Sequence, residues 1–502
     1  MKRRDFVKGV GAGGLIAATG LGWVESAFAA QSLAPMGKAL GEKETLLVFN
    51  AKLVDVANAA IFPETALTIK GGKIEKRLAE QEAAQIASDR KIDARGRHII
   101  PGLINAHCHV SMPGVAAVSV SLISNYREQI DRNCVDCIKH GVTTIRDQAG
   151  SQPVIQERVS RISQGELMGP RILRAIGVDV QGGYGFSILS FFQKNAVLAA
   201  NNAAQARDAV NKALDLGADH IKLFLQYASL FQGEEPLPLM TDDMLAAVVD
   251  EAAKRNRTVA VHHTNLDGFR RAVRAGIQSL EHMAIDGPLT DEDIKSFIEG
   301  RHTVVPTASV AWALAFPKTG DENFKHPNVQ RLYEDKLKRA PSMLQEFAVP
   351  PLARLGKYTL NKYAKPGYFD KKHAMITPSA RVFNAAGAVG GDNMMLMYKA
   401  GCKMGCGNDG GIPFVWPGSL PLEMLLNKEA GMKDADILRN ATLINAENIG
   451  WGDMLGTLDE NKFADVVFLD GNPLENLEYI TNIDAVLQSG RLVYTNKRIV
   501  EA

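Results

Sequence analysis

The chain has 502 residues, 46% of them apolar and 23% charged, with a formal net charge of +1 at pH 7. That length and balance describe a globular protein with one large domain and a smaller one, and they exclude a disordered or fibrous chain. There is no basic stripe and no acidic tail, so nothing points to nucleic acid as a partner.

Residues 1–29 stand apart. Arg3-Arg4-Asp5-Phe6-Val7-Lys8 precedes a mildly apolar, glycine-rich run from Gly9 to Val24, and Ala27-Phe28-Ala29 fits a small-x-small cleavage site. The pattern resembles a twin-arginine export signal, which implies the twin-arginine machinery as a partner and a periplasmic or secreted product. A membrane span needs roughly 20 strongly apolar residues, and this glycine-interrupted run falls short, so no stable membrane anchor is expected. No cysteine stands at the cleavage point to take a lipid.

Residues 30–97 read as short strands with a turn at Lys70-Gly71-Gly72-Lys73. From 98 to 450, strand-like segments alternate with amphipathic helices. The strands are expected at His98–His109, Thr143–Asp147, Arg171–Gly177, His220–Leu225, Thr258–His263, Gln278–Met283, Thr303–Thr307 and Lys403–Asp409. Helices such as Ala203–Leu216, Asp242–Asn256 and Leu266–Ala275 run between them, several ending at a glycine. Repeated β/α units in one continuous stretch predict an α/β fold, a (β/α)8 TIM barrel whose reactive groups sit at the C-terminal ends of the strands. Residues 311–399, between the seventh and eighth strands, are lysine-rich and interrupted by Pro341, Pro350, Pro351 and Pro366. They are a candidate lid over that face or an insertion that never touches substrate. Residues 451–502 again read as strands, at Phe463–Asp470 and Ala485–Tyr494, and are expected to pair with 30–97 in a small β-sandwich.

Five strand ends carry residues that can hold a metal: His107 and His109, Lys222, His262, His282 and Asp409. Two histidines at i, i+2 on a strand face the same way and can grip one ion, although such a pair alone is more often two ordinary surface or hydrogen-bonded histidines. A buried neutral lysine can capture carbon dioxide as a carbamate with two oxygens, a bridge able to hold two cations close together. Five cysteines leave at least one unpaired; Cys134-x-x-Cys137 and Cys402-x-x-x-Cys406 could be linked by a disulfide or a zinc clip in an oxidising compartment, but buried free thiols are the commoner outcome.

Pro101-Gly-Leu-Ile-Asn-Ala-His-Cys-His109, Gly141-Val-Thr-Thr-Ile-Arg-Asp147, Gly217-Ala-Asp-His-Ile-Lys222, Val259-Ala-Val-His262, Ser279-Leu-Glu-His282, Gly407-Asn-Asp409 and Ala464-Asp-Val-Val-Phe-Leu-Asp-Gly-Asn-Pro473 together resemble the amidohydrolase superfamily. The nearest likeness is to its imidazolonepropionase-like, Xaa-Pro dipeptidase and ochratoxinase-type branch. The resemblance implies two divalent metals, zinc the first expectation, with His107 and His109 on the first and His262 and His282 on the second. Carboxylated Lys222 bridges the two, and Asp409 joins the first metal and shuttles the catalytic proton. His262, and not the adjacent His263, is expected to be the ligand, because neighbours on a strand point to opposite sides. Asn408 stands where relatives have threonine, for which a packing effect is expected.

The activity so implied is hydrolysis of a C–N amide bond in a small molecule such as a dipeptide or an N-acyl amino acid, by hydroxide formed between the metals. The alternatives are a one-metal deaminase or cyclic-amide hydrolase, a lactone or ester hydrolase on the same scaffold, and a binding protein without chemistry. Candidate substrate contacts are Tyr184, where relatives often have histidine, together with Tyr227, Arg146 and Trp416. For Arg146 a salt bridge with a neighbouring barrel carboxylate is favoured over a substrate contact, and for Trp416 a core or loop-anchor place stands level with an aromatic wall. Pairing of barrels into a homo-oligomer is open.

Overall fold

The structure, a computed structural model, describes residues 41–83, 85–115, 120–188, 196–227, 236–365, 367–370, 379–496 and 498–499. The expected export signal and Pro366 lie outside these residues.

Strands β1 (Thr45–Asp55), β2 (Ala60–Lys70), β3 (Lys73–Ala79), β4 (Arg90–Asp93) and β5 (His98–Pro101) come first. A parallel set follows: β6 (Leu103–Cys108), β7 (Val142–Asp147), β8 (Arg171–Asp179), β9 (Val197–Ala199), β10 (His220–Leu225), β11 (Val259–His263), β12 (Ser279–Glu281) and β13 (Thr303–Val305). Strands β14 (Val466–Leu469), β15 (Ile483–Gln488) and β16 (Arg491–Thr495) close the chain.

The two chain ends share one sheet in the order β16-β15-β14-β5-β1-β2-β3, with β4 also on β1. β1 can serve both β4 and β5 because irregularities between Val48 and Leu53 bend it. Its first half then pairs with β4 and its second with β5. The sheet curls around Leu46, Val48, Ile69, Ile99, Val466, Phe468 and Leu487, all buried.

The barrel runs β6-β7-β8-β10-β11-β12-β13, with β9 beside β8. On β10, Ile221, Leu223 and Leu225 join the apolar layer that Val210, Ala213 and Val248 of the surrounding helices complete. Alternation therefore turns His220, Lys222 and Phe224 into the barrel. The helices begin where side chains satisfy their free N–H groups: Asn202, Thr241 and Asn265 each accept from the backbone three residues on.

Two expected strands differ. The segment His98–His109 is divided at Gly102: its first part pairs with β14 and its second enters the barrel. A Cβ at Gly102 would stand 2.1 Å from Thr143 Oγ1, so only glycine lets the chain cross between the units there. The segment Lys403–Asp409 fills the place of the eighth strand without regular geometry. Val304 N donates to Lys403 O (3.1 Å) and Gly405 N to Val304 O (2.8 Å) on one side; Ala106 N donates to Cys406 O (3.1 Å) and Asp409 N to His107 O (2.8 Å) on the other. A Cβ on Gly407 would approach His107 N to 2.6 Å, and this tight fit replaces a ladder.

The described part of 311–399 is helical, and Pro341 does not interrupt it but lies inside the helix Pro327–Phe347. A proline in a helix costs about 3 kcal/mol. Burial of Leu332, Ala340, Leu344 and Phe347 on one face offsets that loss. The same apolar cluster takes in Trp312, Phe316, Phe369, Phe414 and Trp416, so these helices share a core with the loop after the closing segment. All five cysteines are buried and none is in a disulfide.

The helix Val120–Lys139 fastens this region to the barrel. Gln129 Nε2 donates to Phe347 O (2.9 Å), Val349 N donates to Gln129 Oε1 (2.9 Å), and His140 Nε2 lies 2.9 Å from Glu346 Oε1. Burial lowers the His140 pKa, but Glu346 and the Asp136 carbonyl outweigh it and the net shift is upward, with Asp136 adding its charge. Glu346 is lowered by His140, and Arg132 and Lys139 act in the same direction. The His140 contribution is full below its unfolded value of 6.5 and is lost as pH rises through the raised folded value; that of Glu346 is full above 4.5 and is lost as pH falls through the lowered one. We therefore expect the thermal midpoint gap between wild type and His140→Ala to be widest between those two values and to narrow toward about pH 9. A gap of constant width across that range would rule out a charged latch.

Candidate metal centre and active site

His107 near the end of β6 and His109 just beyond it bring their Nε2 atoms to 3.4 and 3.2 Å from Asp409 Oδ1. The ligand-capable atoms of His107, His282 and Asp409 all lie within 4.8 Å of one another. Hydrogen bonds assign the tautomers. His107 Nδ1 is 2.7 Å from Glu281 Oε2, and His109 Nδ1 is 2.8 Å from the Ala149 carbonyl; both partners only accept. His282 Nδ1 is 2.7 Å from Thr307 Oγ1, whose own hydrogen goes to Pro306 O at 2.7 Å. In all three rings Nδ1 therefore carries the proton and Nε2 offers a lone pair to the centre.

The ring of His262 stands 4.5 Å from that of His282. Its Nε2 is 3.2 Å from Gln226 Oε1, which leaves Nδ1 as its free atom. Burial holds both His262 and His282 well below the usual imidazole pKa, so they are neutral at pH 7. His263 points to the helix layer, fully buried, with its ring 5.6 Å from that of Phe269.

Lys222 is buried and its Nζ has no hydrogen-bond partner among the described residues. Burial, aided by the Arg146 charge, brings its pKa down to about 8, against the pull of Glu281 and Asp409. A substantial neutral fraction therefore exists near pH 7 to 8. Burial acts to raise the Asp409 pKa, but His107 and His109 outweigh it and hold the carboxyl well below the carboxylate range.

These donors fit a divalent cation: imidazole lone pairs whose opposite nitrogens are fixed, an anionic carboxylate, and a buried amine without a partner. The backbone around them is strained. His282 (φ 71°), Asp409 (φ 50°), Thr307 (φ 55°) and Ala149 (φ 86°) occupy the left-handed region, which is unusual for residues with side chains.

The proposed substrate contacts separate. Tyr184, in a short helix after β8, stacks on His262 at 4.5 Å and 21°. Asp179 positions it, accepting from Val180 N and Gly185 N, both at 2.8 Å. Burial, with the Asp409 charge, pushes the Tyr184 phenol well above 10, so it stays protonated. Tyr227 lies 54% exposed just beyond β10. Arg146 does not reach the mouth: fully buried, it donates to Glu281 Oε1 (2.6 Å), Ala106 O (2.7 Å) and Ser279 Oγ (2.8 Å). Trp416 also forms no substrate wall, because it is wholly buried and stacked on Phe347 at 5.6 Å and 10°.

Asn408 does more than pack. Its Oδ1 accepts from Asn105 Nδ2 (2.7 Å) and Gly410 N (2.9 Å), and its Nδ2 donates to Trp416 O (2.8 Å) and Ser419 Oγ (3.2 Å). It thus ties down the loop that follows Asp409. Glu281, Gln226 and Thr307, the partners of the histidines, were given no role from sequence. Glu281 alone had a signal, as a carboxylate beside His282 at the end of a strand.

Residues 98–493 match the Amidohydrolase family. Ochratoxinase of Aspergillus niger is 23% identical over 421 residues, covering 77% of this chain and 73% of its own. Among solved structures, a Xaa-Pro dipeptidase with bound methionine in the active site superposes with TM-score 0.67 at 23% identity, over 90% of this chain and 100% of its own. Molinate hydrolase superposes with TM-score 0.65 at 20% identity, over 90% of this chain and 95% of its own.

Proposed function

The chain belongs to the amidohydrolase family, and from that premise we propose that it uses two divalent metal ions, zinc first among them, to hydrolyse an amide C–N bond in a dipeptide or N-acyl amino acid. The observation that carries this reading is the convergence of His107, His282 and Asp409 within 4.8 Å. His109, His262 and Lys222 would complete the set, Lys222 as a carbamate.

Bound there, a divalent metal would acidify water and polarise the scissile carbonyl. The residues of the chain do the rest. Asp409 accepts a proton from the attacking water and returns it to the leaving nitrogen, which must depart as an amine. The protonated Tyr184 phenol, stacked on His262 beside the centre, donates toward the carbonyl oxygen as negative charge develops there. Glu281 and Thr307 hold the His107 and His282 rings in the required tautomers.

The tight trio by itself would suit a single ion, which keeps a one-metal deaminase or cyclic-amide hydrolase as the second reading. Elemental analysis of the purified protein, with a panel of dipeptides, N-acyl amino acids, cyclic amides and lactones, separates the two. About two metals per chain with amide turnover is the expected result. One metal with deaminase or ring-opening activity alone would overturn it.

A further inference from the structure

We propose that Glu423 is a positioning residue for the metal centre, a buried carboxyl that locks together the supports of His282 and Asp409 from a helix remote from both. The inference rests on the metal reading above. Glu423 lies in the helix Leu420–Ala430 and is fully buried. Its Oε1 accepts from Ala308 N (2.9 Å), and its Oε2 accepts from Ser309 N (2.8 Å) and meets Ser309 Oγ at 2.7 Å.

These contacts compensate for a vacancy in the capping of the helix Ala308–Leu314. Thr307 occupies the N-cap position, where its hydroxyl would ordinarily accept from the first turn. It makes no such bond: its backbone is left-handed (φ 55°) and not extended, and its oxygen accepts from His282. Glu423 satisfies the N–H groups that Thr307 leaves unserved, and so frees Thr307 to hold the His282 ring.

The second arm runs through Ser309, whose Oγ is also 2.8 Å from the carbonyl of Asn408, the residue before Asp409. One hydroxyl has one hydrogen and here faces two oxygens, Glu423 Oε2 and Asn408 O. Both contacts are satisfied when Glu423 carries a proton, donating to Ser309 while Ser309 donates to Asn408. Burial favours that form, raising the carboxyl to about 7. One side chain thus fixes Thr307 against His282 and the main chain beside Asp409.

The test is the Zn²⁺ dissociation constant by chelator competition, with the thermal midpoint of the metal-free protein and kcat and KM on the same samples. Glu423→Ala is expected to weaken Zn²⁺ binding roughly 10–100-fold and lower kcat with little change in KM. Ser309→Ala, which leaves the carboxyl on the backbone N–H groups, should weaken binding several-fold and guards against a Glu423→Ala protein that fails to fold. Lys336→Met is the control: Lys336 Nζ meets the carbonyls of Ala313 and Ala315 at the other end of the same helix. It should move the midpoint and leave Zn²⁺ affinity unchanged. Unchanged affinity and kcat in Ser309→Ala, or an equal loss in Lys336→Met, would reduce Glu423 to a structural residue. A wild type that binds no Zn²⁺ would instead overturn the metal reading itself.

Discussion

Lys222→Ala is expected to lower metal content from about two ions per chain to one or none and to cut turnover by roughly a thousandfold or more, equivalent to about 4 kcal/mol of barrier. The size follows from the environment. An amine buried without a hydrogen-bond partner has little reason to persist on stability grounds, because desolvation costs it free energy that no contact returns. Removing it should therefore leave the thermal midpoint of the metal-free protein unchanged or raise it, while the loaded enzyme fails. Opposite movements of stability and activity mark a residue kept for function. Lys222→Met, which keeps an unbranched stem out to Cε and removes the amine, should behave like Lys222→Ala. Short carboxylic acids such as acetate should restore part of the turnover to the alanine variant by supplying the two oxygens that the carbamate would provide. Two metals and full turnover in both variants would remove Lys222 from the centre.

The barrel was legible because its strands follow simple rules: apolar runs of strand length, alternation that turns Lys222 inward, and helices between them. What the sequence hid was wherever geometry departs from period two. Glu281 and His282 are neighbours, and on a regular strand one of them would face away from the centre. The left-handed backbone at His282 turns its ring back so that both serve the site. Asp409 is placed by the same device, at the end of a segment that hydrogen-bonds to β13 and β6 without becoming a strand. The crossing at Gly102 was hidden because apolar residues stand on either side of it, and the close approach of Thr143 that demands glycine there is a contact of the folded chain. The sequence left Trp416 and Arg146 between two roles for a related reason. Their types suit a binding wall, and their burial depends on Phe347 and Glu281, residues far away in sequence.

Arg146→Met should cost about 3–5 kcal/mol of stability, because it leaves Glu281 buried without its cation. Burial alone would raise the Glu281 carboxyl; Arg146, with His107, holds it well below the usual range, so at neutral pH the lone carboxylate must either remain charged in a dry interior or take up a proton. Either outcome reaches the centre, since Glu281 Oε2 fixes the Nδ1 proton of His107 at 2.7 Å. Metal affinity should accordingly fall by roughly 10–100-fold along with the midpoint. Had Arg146 bound a substrate carboxylate, its loss would raise KM for acidic substrates alone and spare both stability and metal content. Urea denaturation and chelator competition on the one variant distinguish these patterns. Arg146→Met combined with Glu281→Leu sharpens the distinction: removing both charges should recover much of the folding stability, yet leave metal binding impaired, because no acceptor remains to set the His107 tautomer. Recovery of both together would mean that the pair serves only to fill the barrel.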